Sequence, residues 1–126
     1  MVDAGADIMN NFYGKPGALK LIFTLDSAAS GNISITVDNG APHHLFAPEG
    51  SATYNTDPLD ADQHTIYYVV TPLGAAGGNS DLSVEVQQNG SALDADPSND
   101  PDGNPFTRTG LSMNVGTPGG FGVALA

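Results

Sequence analysis

The chain has 126 residues, which fits one domain with a single hydrophobic core. Its 14 acidic residues against 3 basic ones give a net charge of −11, so nucleic acid and anionic membrane surfaces are poor partners. The absence of cysteine excludes disulfides, thiolate metal sites and thiol catalysis.

Two glycine-rich arms flank a series of predicted strands. Residues 1–17 form a lead-in bracketed by Gly and Pro, and residues 116–126 form the tail. Between the arms, apolar and polar residues alternate, and runs of β-branched residues occur, as is typical of strands. The predicted strands span residues 19–26, 32–38, 43–46, 52–56, 64–71, 82–88 and 107–115.

Asn-Gly dipeptides follow two of these strands. Asn39-Gly40 and Asn89-Gly90 predict two-residue hairpin turns, because both residue types tolerate the positive φ of a type I′ turn. Such turns make consecutive strands antiparallel.

The strand around which the chain is organised is residues 64–71, the densest run of β-branched and aromatic residues. Side chains alternate across a strand, so one face is fully apolar and should point into the core. The other face is mixed, with Tyr67 and Val69 between threonines. The shared inward phase of the strands predicts a core that contains Phe23, Ile35, Ile66, Tyr68, Val70 and Val84.

Short strands at regular spacing, separated by Gly, Pro and Asn turns, indicate an all-β fold. We expect an antiparallel β-sandwich of about seven or eight strands, either immunoglobulin-like or a jelly roll, with extended terminal arms. The whole chain, residues 1–126, is then a single domain. Residues 18–115 form its sandwich, 1–17 its N-terminal arm and 116–126 its C-terminal arm.

The order of elements over residues 19–90 resembles the immunoglobulin-like β-sandwiches of surface and virion proteins. The resemblance lies in a strand, the Asn39-Gly40 turn, and a later strand entered through the Asp-rich loop at 57–62. The Cys-Trp-Cys signature of antibody domains is absent. The resemblance is to accessory subunits of tailed viruses, the decoration and minor capsid proteins, and it implies a structural role in a virion.

The most acidic loop, residues 94–104, is the best candidate for a metal site. Its carboxylates and one Ser stand at alternate positions, followed by Gly103, and a tight loop of this kind can wrap oxygen ligands around Ca²⁺. The alternative is a solvated acidic loop in which Asp supports local turns. The candidate calcium ligands are Asp94, Asp96, Asp100 and Asp102.

The sequence gives little support for an enzyme. The adjacent His43 and His44 should point to opposite faces of a strand and so cannot easily bind one ion, and His64 is distant in sequence. No nucleophile elbow, phosphate-binding loop or dinucleotide fingerprint occurs in the sequence. We therefore expect a non-enzymatic protein without a cofactor, unless calcium is bound.

Large apolar side chains in both arms indicate that neither arm is a solvated tail. Each arm either adds a strand to its own sandwich or docks on a neighbouring subunit. The mixed face of the central strand also needs cover, from the arms or from another subunit. The predicted partner interface consists of Phe12, Tyr13, Tyr67, Val69, Phe121 and Leu125.

The sequence therefore predicts a structural subunit of a larger assembly, most closely a virion decoration or minor capsid protein that docks through its arms. Its partners would be other protein subunits, in a homo-oligomer or a capsid shell. No signal peptide or long apolar segment occurs, so synthesis in the cytoplasm is expected. The alternative is a calcium-dependent carbohydrate-binding module.

Overall fold

A computed structural model describes residues 10–74, 78–96 and 103–126. These residues form an all-β sandwich of two sheets, and none of them lies in a helix. In this part of the chain, no helix is long and apolar enough to cross a membrane. The eleven strands are β1 Asn10–Gly14, β2 Lys20–Asp26, β3 Ser30–Val37, β4 His43–Ala47, β5 Ser51–Asn55, β6 Gln63–Leu73, β7 Asn79–Gln88, β8 Ser91–Ala92, β9 Asp94–Ala95, β10 Phe106–Ser112 and β11 Thr117–Leu125.

The first sheet has six strands in the order β4-β3-β6-β11-β1-β9, and the second has the order β10-β7-β2-β5, with β8 paired to β7. Strands β1 and β11 pair in parallel, and the other pairs are antiparallel. The run β4-β3-β6-β11 has the same order as the C′-C-F-G sheet of immunoglobulin variable domains.

The core lies between the sheets, and it is built by the predicted alternation. The six residues predicted to share it are all buried, with at most 4% of any of them exposed. Tyr68 of the first sheet meets Phe23 of the second edge to face, with ring centroids 5.7 Å apart. Each such side chain contributes about 1.5–3 kcal/mol by leaving water, so the alternating phase of the strands determines the sandwich.

The structure corrects the prediction that the terminal segments are arms outside the sandwich. Residues 10–14 and 117–125 are strands, and β11 lies between β6 and β1 near the middle of the first sheet. Phe12 and Phe121 are fully buried. Their rings and the ring of Phe106 contact one another pairwise, with centroids 5.5–5.9 Å apart. Phe12 of the N-terminal segment and Phe121, Val123 and Leu125 of the C-terminal segment are therefore part of the chain's own core.

One of the two predicted hairpin turns has the expected geometry. Asn89 and Gly90 both have positive φ, 54° and 82°, and they join β7 directly to β8. At Asn39-Gly40 the predicted hairpin is present, since β3 and β4 pair antiparallel, but the type I′ geometry is wrong, because five residues separate the two strands and the residue with positive φ is Asp38. Asp38 takes this conformation where its carboxylate bonds to β6, as described below.

The strand count exceeds the predicted seven or eight because four strands lie outside the predicted set. Two of these, β1 and β11, come from the arms. The other two, β8 and β9, are pairs of residues in the region after the Asn89-Gly90 turn, where proline and aspartate favoured a loop.

Candidate binding surface

The surface of interest is the outer face of the six-stranded sheet, opposite the core. Strand β6 places Tyr67 and Val69 on it, because their neighbours in sequence point into the core. The strand register aligns residues of the flanking strands with them. We use "outer face" for His44 and Phe46 of β4, Asn32, Ser34 and Thr36 of β3, Thr65, Tyr67, Val69 and Thr71 of β6, Pro118, Gly120 and Gly122 of β11, and Asn11 and Tyr13 of β1.

Exposed apolar side chains concentrate on the outer face. Five large apolar side chains are exposed among the described residues, and four of them belong to strands of the outer face. The fifth, Val115, lies outside these strands. The exposed fractions on the outer face are 58% for Phe46, 49% for Tyr67, 46% for Tyr13 and 42% for Val69. On the solvent side of the five-stranded sheet, by contrast, each of two strands carries two charged residues, Lys20 and Asp26 on β2 and Asp81 and Glu85 on β7.

The outer face carries no formal charge across its five main strands. Strands β4, β3, β6, β11 and β1 contain no Lys, Arg, Asp or Glu, although 13% of the chain is charged. Acidic residues border the face at β9, where Asp94 pairs with Tyr13. An uncharged patch with aromatic side chains on a chain of net charge −11 is typical of the centre of an interface.

A shallow groove of about 320 Å³ runs between β4, β3 and β6 on this face. Asn32, Ser34, His44 and Thr71 supply hydrogen-bonding groups to it, and Val69 supplies an apolar wall. The groove can therefore accept a ligand or a partner side chain that combines polar and apolar groups.

Tyr13 is fixed at the border of the outer face. Its hydroxyl donates a hydrogen bond to Asp96 Oδ2 over 2.8 Å. This hydrogen bond, with smaller contributions from burial and from the carboxylate charge, raises the pKa of Tyr13. The phenol thus stays neutral, and the bond fixes the hydroxyl end of this exposed ring.

The structure builds one polar cluster that the sequence did not predict, around His64 at the start of β6. Nδ1 lies 2.7 Å from Asp38 Oδ2, and Nε2 lies 2.9 Å from the backbone oxygen of Asp60. Asp38 also accepts a bond from the backbone N–H of Thr65 over 2.9 Å. A neutral imidazole has one N–H, so two oxygen acceptors are satisfied together only by the protonated ring.

The pKa values of this cluster follow from its hydrogen bonds. Burial alone would lower the pKa of His64, but the bonds to Asp38 and Asp60 outweigh it, and the pKa is raised. Burial alone would raise the pKa of Asp38, but the bonds from His64 and Thr65 lower it. Because both ring nitrogens are engaged and the residue is 6% exposed, the pair joins β3 to β6 and presents no free base to a substrate.

His43 and His44 point to opposite faces of β4, as the sequence predicts. His43 lies against Tyr54 of the five-stranded sheet, with ring centroids 5.1 Å apart, whereas His44 lines the groove on the outer face. They therefore do not share an ion.

The calcium prediction falls partly outside the described residues. Asp100 and Asp102 lie in the segment 97–102, beyond them. Asp94 sits in β9, and Asp96 accepts the Tyr13 bond. Within the described ranges, no group of three or more His, Asp or Glu side chains is placed to hold a metal ion. Calcium binding at this loop stays a prediction.

The six predicted interface residues divide into two sets. Tyr13, Tyr67 and Val69 lie exposed on the outer face. The prediction for Phe12, Phe121 and Leu125 is corrected, because each is at most 3% exposed and packs in the core. A folded chain cannot offer these side chains to a partner.

Sequence reasoning missed Phe46 and His44 as members of the same surface. Both belong to a predicted strand, but a five-residue strand with several apolar residues does not show which side faces the core. The pairing of Phe46 with Asn32 and of His44 with Ser34 settles it.

No protein-family model, curated protein or solved structure matches this chain.

Proposed function

We propose that this chain is a non-enzymatic structural subunit that docks on a larger protein assembly through its outer face. The more specific proposal is a decoration or minor capsid protein of a virus particle. The observation that carries the proposal is the clustering of Phe46, Tyr67, Tyr13 and Val69 on one uncharged sheet face of a strongly acidic chain.

Leaving the apolar side chains of this face in water costs free energy. Contiguous exposed apolar surface favours association, and aromatic side chains supply much of the energy of protein interfaces. A flat sheet face with short polar side chains between the aromatic rings can approach another protein closely. Charged side chains at its centre would have to be desolvated, and the sequence places none there.

The rest of the surface supports the same role. The acidic residues lie on other strands and in loops, so the negative field surrounds the outer face. Such a field keeps free subunits apart and orients them towards partners of complementary charge. The partner expected from this arrangement is another protein subunit with a matching apolar patch.

The test is the distribution of the protein between free and assembled fractions in cells that produce it. Wild-type chain should sediment with a large particle in a sucrose gradient. Tyr67→Lys places a charge at the centre of the outer face and should move the protein to the slow fractions. Val115→Lys is the matched control, because Val115 is 54% exposed and lies outside the strands that form this face. Equal sedimentation of the two variants would contradict the proposal.

A second candidate is a carbohydrate-binding module, favoured by the exposed rings beside the groove. Tyr67 offers an aromatic surface for a sugar ring, and Asn32 and Ser34 offer hydrogen bonds nearby. A glycan array with purified wild-type chain, with and without calcium, separates the two candidates. Saturable binding of one glycan class that is lost in Tyr67→Ala would favour this second function.

A further inference from the structure

Strand β4 is an open edge of the six-stranded sheet. It has five residues, no charged residue and no proline, and it pairs with β3 without a register shift. Its far side has no partner strand among the described residues. An edge of this kind presents unpaired backbone N–H and C=O groups as a template for another strand.

Other edges of the sandwich are protected in ways that β4 is not. In β10, the register shifts between Arg108 and Leu111, where Gly110 has a φ of 73°. In β9, the strand is two residues long and carries Asp94. Bulges, charges and short length all prevent edge pairing. β4 has none of these features. β5, the neighbouring edge of the second sheet, is also free of charge, but a two-fold axis at its central Thr53 would place Glu49 opposite Asp57 of the copy, and these like charges disfavour pairing there.

We propose that β4 pairs antiparallel with β4 of a second copy of this chain, which joins two six-stranded sheets into one. This inference goes beyond docking through the outer face, because it uses the backbone of the sheet edge and can hold whether or not that docking occurs.

The register of the pairing follows from the sequence around β4. Pro42 and Pro48 stand at equal distances on either side of Leu45, and proline cannot donate to a ladder. A two-fold axis at Leu45 pairs all five residues of β4 and leaves both prolines just outside the ladder. A shift by two residues would bring a proline inside it. In this register, His44 lies opposite Phe46 of the second copy, and both stay on the outer face.

The charge distribution restricts where a second copy can pair with this chain. Two chains of net charge −11 repel each other, so they can meet only where neither presents a charge. The nearest acidic side chain in sequence after β4 is Glu49, which this register places opposite Ala41 of the copy. A basic partner would instead be drawn to the acidic loops. An uncharged, self-complementary edge therefore fits a like-charged copy.

The first experiment is the mass of the purified chain in solution by size-exclusion chromatography with light scattering. Wild type should show twice the monomer mass as concentration rises. Phe46→Lys should raise the dissociation constant about tenfold or more, because it puts an unpaired charge beside the new ladder. Phe46 is 58% exposed in the monomer, so the variant should keep the thermal melt of wild type. Val115→Lys, with a similarly exposed side chain, should dimerise normally.

The second experiment tests the register with single cysteines in a chain that otherwise has none. A mixture of His44→Cys and Phe46→Cys should form a mixed disulfide on mild oxidation, because directly opposed Cβ atoms lie within bridging distance. Each variant alone should cross-link much more slowly, because its two cysteines are then diagonal to each other.

Three results would overturn the inference. The first is wild-type chain that stays monomeric at all concentrations, and the second is equal cross-linking in all mixtures. The third is a dimer that is abolished by Tyr67→Lys but not by Phe46→Lys, which would place the contact at the outer face. If Tyr67→Lys no longer sediments with the particle but still forms the β4 dimer, the result supports both proposals. The two proposals can therefore fail separately.

Discussion

Tyr67 and Tyr68 are adjacent in β6, and their environments are opposite. Tyr68 is 4% exposed, lies edge to face against Phe23, and covers the backbone of Gly119 so closely that a Cβ there would overlap its ring. Tyr67 is 49% exposed and lies opposite Gly120. Because the residue type is the same, a comparison of the two tyrosines isolates the effect of burial on the stability of the fold.

We expect Tyr68→Ala to lower the free energy of unfolding by about 3–5 kcal/mol, because it leaves a cavity between the sheets. Tyr67→Ala should cost less than about 1 kcal/mol, because water already surrounds half of the side chain. Urea unfolding followed by circular dichroism measures both values. Equal losses in the two variants would contradict the assignment of the faces.

His64 and Asp38 give the stability a defined dependence on pH. The pKa of His64 is raised in the folded chain, so its contribution is complete below the ordinary histidine value of 6.5 and is lost as pH rises through the folded pKa. The pKa of Asp38 is lowered, so its contribution is complete above the ordinary value of 3.8 and is lost as pH falls through the folded pKa. The pair stabilises the fold most between these two values.

The melting temperature of wild type should therefore fall as pH rises above 6.5 and through the raised pKa of His64, and Asp38→Asn should flatten that fall. His44→Gln is the matched control, because His44 is exposed on the outer face. Its pH profile should follow that of wild type. An Asp38→Asn profile as steep as that of wild type would show that other groups control the pH dependence.

At the scale of elements, β11 decides whether the C-terminal segment is an arm or part of the fold. It pairs with β6 along eight residues and with β1 along five. Phe121 and Val123 are fully buried, and Leu125 is 3% exposed. Its removal would leave β1 without its main partner and open the core along one side of β6.

Deletion of residues 117–126 should abolish cooperative thermal unfolding. Losing three buried apolar side chains, at about 2–5 kcal/mol each, takes away most or all of the 5–15 kcal/mol that stabilises a typical domain. Val115→Ala, at an exposed position before β11, should melt like wild type. A truncated chain that still melts cooperatively would mean that β11 is a detachable arm.

At the scale of the whole molecule, the net charge of −11 sets how two copies approach each other. Their repulsion is long-ranged, and raising NaCl from about 0.1 M to about 1 M shortens the screening length from about 10 Å to about 3 Å. Pairing through an uncharged edge should therefore strengthen with salt.

Light scattering at a series of NaCl concentrations measures this dependence. The apparent dissociation constant of wild type should decrease as salt is added, while Phe46→Lys should stay largely monomeric throughout. Weaker association at high salt would indicate attraction between opposite charges and would contradict pairing at β4.

Much of the fold follows from the local alternation of apolar and polar residues in the sequence. The opposite phases of Tyr67 and Tyr68 follow from the two-residue period of a strand, and so do the all-β class and the six predicted core residues. The turn at Asn89-Gly90 follows from the backbone freedom of two residues. These features need no knowledge of which strand lies beside which.

The tertiary structure decided what depends on pairing between distant residues. Apolar residues in an arm show that it must be buried, but not against which sheet, and only the parallel pairing of Phe12 with Val123 places β1 in the core. Asp38 and His64 are 26 residues apart, and no local pattern brings them together. The outer face likewise exists only once Phe46 of β4 and Tyr67 of β6 lie in one sheet. Which strands pair depends on the apolar surface that both sheets bury in total. Alternation along one strand does not show which strand will lie beside it.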